Sequence, residues 1–77
     1  MFHTIADIVA RQFDLEVETI TPDTSFVDDI GCDSLDIVEL IMTMEDEFGL
    51  SEIPENELKE LTTVGKLADY VEKATDR

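Results

Sequence analysis

The chain has 77 residues, 43% of them hydrophobic, and a net charge of −15, which allows one modest core and excludes a wholly disordered acidic tail. Its single cysteine excludes an internal disulfide, and no Cys/His cluster has zinc spacing. Fifteen acids and no base lie between Arg11 and Lys59, so this stretch cannot neutralise nucleic-acid phosphates or rest on anionic lipid, and basic protein patches are the expected partners.

No apolar run approaches the roughly 20 residues of a membrane span. Met1-Phe2-His3-Thr4 lacks the basic and apolar regions of a secretory signal. The expectation is one monomeric, cytoplasmic domain over residues 1–77, with neither a nucleic-acid nor a membrane partner.

Ile5, Ile8, Val9 and Phe13 recur with helical period and predict a first helix from Phe2 to about Phe13. A long connection follows, about 14–33. Val17, Ile20, Phe26, Val27 and Ile30 recur through it and are expected to pin it to the core, and Pro22-Asp23 reads as a turn. Leu15-Glu16-Val17-Glu18 alternates but is too short, and has no partner, for a strand.

The second helix is predicted from Ser34 to near Phe48, stopped by Gly49. A short one spans Pro54 to about Leu61, with proline at the first helical position and apolar Leu58 and Leu61 at i, i+3. The last starts near Thr63, with Val64, Leu67, Ala68 and Val71 on one face. Gly65, in its first turn, should cost about 1 kcal/mol relative to alanine. The fold class is all-α: three longer helices and one short helix, with a long loop between the first two.

The second helix carries apolar residues on two faces. Ile37, Leu40, Ile41, Met44 and Phe48 form a core stripe. Leu35, Val38 and Met42 project from the opposite side among Glu39, Glu45 and Asp46, with Asp36 at the margin. Apolar anchors inside an acidic rim have the pattern of a docking surface.

Ser34 stands at the start of that helix. Asp33 is the expected N-cap and Asp36 its N3 partner, which puts Ser34 at N1, beside unsatisfied N–H groups and the positive end of the dipole. A phosphodiester on Ser34 would be received well there. As a nucleophile Ser34 lacks a Gly-x-Ser-x-Gly elbow, and His3, the one histidine, is an N-terminal residue expected in solvent. The residues leave two readings of Ser34: an attachment point, or plain capping-region polarity.

The string Phe26-Val27-Asp28-Asp29-Ile30-Gly31-Cys32-Asp33-Ser34-Leu35-Asp36-Ile37-Val38-Glu39-Leu40 resembles the attachment motif of acyl carrier proteins. Glu45-Asp46-Glu47-Phe48, Glu52-Ile53-Pro54, Thr62-Thr63-Val64 and Asp69-Tyr70-Val71 match that family in order, so the resemblance covers essentially the whole chain. It implies a four-helix bundle with a long first loop and a non-catalytic carrier of the type II, fatty-acid-synthesis kind.

Under this resemblance Ser34 takes 4′-phosphopantetheine from coenzyme A, transferred by a holo-carrier-protein synthase, and the arm carries acyl groups as thioesters. Asp33, Asp36, Glu39, Glu45 and Asp46 would meet basic patches on fatty acid synthesis enzymes, with Leu35, Val38 and Met42 as the apolar contact. The acyl chain would lie among Phe26, Leu40, Met44, Ile53, Leu58 and Leu61. Cys32 stands where the family often has alanine and is expected to be a small buried hydrophobe. The alternative is a thiol close enough to the arm to form a disulfide with it under oxidation, although its acidic neighbours should raise its pKa and keep it unreactive.

A carrier dedicated to a polyketide or other specialised acyl pathway is the alternative within this class. The alternative outside it is an unmodified acidic interaction module that binds divalent cations weakly. A specific EF-hand is excluded, because Gly31 at loop position 6 puts Phe26 at position 1, and Gly49 there puts Met44 at position 1.

Overall fold

The computed structural model describes residues 2–75. Four α-helices follow in chain order: α1 (Phe2–Phe13), α2 (Ser34–Phe48), α3 (Glu55–Leu58) and α4 (Val64–Thr75). The described residues contain no strand, only an isolated antiparallel bridge between Ser25 and Thr63. The architecture is the expected helical bundle.

α1 and α4 form the most extensive helix pair. α1 buries Ile5, Ala6, Ile8, Val9 and Ala10, and α4 buries Val64, Leu67, Ala68 and Val71. Small residues at Ala6, Ala10 and Ala68 leave room for interdigitated ridges. α2 adds Leu40, Ile41 and Met44 to the same core, with Ile37 and Phe48 half-buried at its edge. The core stripe predicted for α2 is therefore buried in its middle and half-exposed at its ends.

The long connection is ordered. A 3₁₀ turn covers Val17–Thr19 and a π-type turn covers Phe26–Ile30, closed by the Ile30 N–H donating to Ser25 O at 3.1 Å. Gly31, at φ 83°, ends that turn in the left-handed region open to a residue without Cβ. Ile20 and Phe26 are buried as expected, and Val17 and Ile30 are half-buried. Val27 departs from the expectation: it is 63% exposed. The turn directs Phe26 into the core, and the next side chain faces water.

Three backbone bonds stitch this loop to the start of α4. Phe26 N–H donates to Thr62 O (3.1 Å), Val64 N–H to Thr24 O (3.0 Å) and Gly65 N–H to Pro22 O (3.0 Å). Lys66 N–H donates to Thr63 Oγ1 and Leu67 N–H to Thr63 O. The N–H groups of Val64, Gly65 and Lys66, which the helix cannot satisfy internally, are thus all accounted for, and the Leu67 bond is the first of the helix proper. Thr63 caps this helix rather than beginning it.

The short helix is shorter than the sequence pattern predicts. Pro54 is extended (ψ 144°) and precedes α3 as its cap instead of filling its first position. Beyond Leu58 the bonds tighten to i→i+3, from Glu60 N–H to Glu57 O and from Leu61 N–H to Leu58 O. That tightening turns Leu61 into the core and delivers Thr62 and Thr63 to the bridge with Ser25.

Candidate functional site

Local chemistry fixes the start of α2. Asp33 is extended, and its Oδ1 accepts from Asp36 N–H at 2.9 Å. Asp36 Oδ2 accepts in return from Asp33 N–H at 3.3 Å, which completes a capping box. Ile37 N–H reaches Asp33 O. The N–H groups of Ser34 and Leu35 carry no hydrogen bond to the described residues. Ser34 is exposed, so its hydroxyl projects into solvent beside two free donors and the positive end of a fifteen-residue helix. That donor set fits a phosphate ester.

The outer face of α2 lies open. Leu35 is 67% exposed, Met42 61% and Val38 48%. Asp33, Glu39 and Asp46 are exposed around them. Asp36 is half-buried within its capping box, and Glu45 is half-buried because its Oε2 accepts from Ile53 N–H at 3.1 Å. Glu45 therefore ties the α2–α3 connection to α2, a task that its place in the acidic rim gave no sign of. A Glu eight residues before a buried amide has no local signature in sequence.

On the inner side, Phe26, Leu40, Met44, Ile53 and Leu61 are buried in one apolar cluster, with Leu58 half-buried against it. Tyr70 of α4 is half-buried on the side of Glu57 of α3. Burial first, then the neighbouring Glu57 carboxylate, holds the phenol above its ordinary pKa. His3 is exposed in the first turn of α1.

Cys32 is buried, and its thiol is pushed above the ordinary value of 9.0 by desolvation first, then by the charges of Asp36 and Asp33. The folded-state pKa lies above the unfolded one, so stability from this thiol is whole below about pH 9 and is lost as pH rises through the folded value. The expected result is a urea midpoint that falls more steeply above about pH 9 in the wild type than in Cys32→Ala. An equal or shallower fall in the wild type would contradict it.

Among the described residues, no group of three or more His, Cys, Asp or Glu side chains gathers to hold a metal ion, and no helix is long and apolar enough to cross a membrane.

The profile of the family described as "Phosphopantetheine attachment site" matches residues 3–71. The chain is 41% identical over 76 residues to a curated acyl carrier protein of Clostridium acetobutylicum, covering 99% of this chain and 97% of that one. A solved structure of the acyl carrier protein from Enterococcus faecalis superposes with a TM-score of 0.79 at 32% identity, over 95% of this chain and 91% of that one.

Proposed function

The chain belongs to the acyl carrier proteins, non-catalytic carriers whose prosthetic group is 4′-phosphopantetheine, and from that premise we propose that it serves fatty acid synthesis in the cytoplasm, with Ser34 as the attachment site. The observation that carries this reading is the exposed Ser34 hydroxyl at N1 of α2, beside the two free N–H groups of Ser34 and Leu35. When attached, the arm supplies a terminal thiol that holds acyl groups. The chain's own residues do the rest. They receive the phosphate, present a surface to visiting enzymes, and shelter cargo.

Reception falls to the start of α2, where the capping box engages Asp33 and Asp36 with each other's N–H groups and leaves those of Ser34 and Leu35 open. Presentation falls to Leu35, Val38 and Met42 within the rim of Asp33, Asp36, Glu39, Glu45 and Asp46. Partners with Lys/Arg patches then associate fast and weakly, as one carrier serving many enzymes requires. Tethering keeps the cargo at high effective concentration for each of them. Shelter falls to Phe26, Leu40, Met44, Ile53, Leu58 and Leu61, the apolar cluster on the inner side of α2.

The test is the intact mass of wild type and Ser34→Ala after incubation with coenzyme A, Mg²⁺ and a phosphopantetheinyl transferase. Wild type is expected to gain one phosphopantetheine and the variant none. An unmodified wild type, with a transferase active on a control carrier, would end the attachment reading.

A further inference from the structure

Among the described residues, the exposed large apolar side chains are Leu15, Val27, Leu35, Val38 and Met42. Four of these fall between residues 27 and 42, on both sides of Ser34 in sequence. An exposed valine taken alone means nothing, but Val27 is held in place. Its turn is clamped by Ser25 Oγ accepting from Asp28 N–H at 3.1 Å and by Asp29 Oδ2 accepting from Ser25 N–H at 2.7 Å. Phe26, the residue before it, is buried in the core. Cys32 N–H donates to Phe26 O at 2.8 Å, which fastens the turn to the segment leading into Ser34.

A protein that acts on Ser34 must cover the surface around it. Fifteen residues of α2 make a strip about 22 Å long and about 10 Å wide. That strip is short of the roughly 500 Å² per partner that even a small specific interface covers. The footprint must run past α2, and the turn bearing Val27 is bonded to its leading segment. Charge points the same way. Asp28 is exposed beside Val27, and no base interrupts the acids from Arg11 to Lys59.

We propose that Val27, with Asp28 beside it, is a further docking anchor for the enzyme that loads Ser34, seated in an apolar recess rimmed by Lys and Arg. The proposal rests on the reading of Ser34 as the attachment site. The sequence pattern assigns Val27 to the core; its exposure on a fixed turn gives it this task instead.

The experiment measures loading of the unmodified chain by a phosphopantetheinyl transferase with coenzyme A and Mg²⁺, followed by intact mass over a range of carrier concentrations at low ionic strength. Val27→Ser is expected to raise KM about tenfold with kcat nearly unchanged, as loss of a docking contact does. Leu35→Ser serves as the comparison on α2. Should Val27→Ser lower the thermal midpoint, Val27→Thr, of nearly the same shape, takes its place and should raise KM in the same direction. Wild-type KM in a folded Val27 variant, with Leu35→Ser impaired, overturns the Val27 anchor and leaves the Ser34 reading standing. Failure of the wild type to load, or loading of Ser34→Ala, overturns the Ser34 reading and this proposal with it.

Discussion

Phe26→Ala is expected to lower the unfolding free energy by about 3–5 kcal/mol, the range for deleting a buried aromatic side chain. A domain of this size has only about 4–12 kcal/mol in total, at roughly 0.05–0.15 kcal/mol per residue, so the variant stands near its folding threshold. The expectation rests on more than burial. Phe26 N–H holds Thr62 O, and Phe26 O holds Cys32 N–H, so the same residue joins the long loop to α4 on one side and to the start of α2 on the other. Removing the ring leaves a cavity under both junctions. Urea unfolding followed by far-UV circular dichroism at fixed salt measures it, and a loss below about 1 kcal/mol would show that Phe26 is not a keystone. Phe26→Leu, which refills most of the volume, should recover much of the loss.

Gly65→Ala is expected to destabilise, against the usual sign. Glycine inside a helix is ordinarily worse than alanine by about 1 kcal/mol, and on sequence alone Gly65 reads as a defect. In the structure, a Cβ at Gly65 would lie 2.7 Å from Pro22 O and 2.9 Å from Pro22 Cβ. Pro22 O is also the acceptor of the Gly65 N–H, at 3.0 Å, so the loop cannot retreat without breaking that bond. Overpacking of this kind typically costs about 1–3 kcal/mol, which exceeds the gain in helix propensity. Urea midpoints of wild type and variant decide the sign. A more stable Gly65→Ala would mean that the loop yields freely and that the contact is not a constraint.

Most of the helical framework was legible because its signals are local. The 3.6 period placed α1, α2 and α4, Gly49 marked the end of α2, and Asp33 with Asp36 marked its start. Each of these signals lies within a few residues of the feature it governs. The sequence pattern overextends α3 because Leu58 and Leu61 share one helical face. It could not see that the chain must leave the helix to bring Thr62 and Thr63 against Ser25. Val27 departs from its sequence pattern for a related reason. Alternation of apolar residues through a loop shows that some of them are buried, but a π-type turn decides which.

The exposed serine at N1, the acids around it and the two apolar faces of its helix were all determined by the sequence, through capping spacing and helical period. Tertiary structure alone decided where the long loop runs, which of its apolar residues faces water, why Gly65 is required, and that Glu45 holds the Ile53 amide. The physical reason is range. Caps and periodicity act between residues a few positions apart, whereas the stitches from Pro22, Thr24 and Phe26 to Gly65, Val64 and Thr62 form only when distant segments pack on a common core.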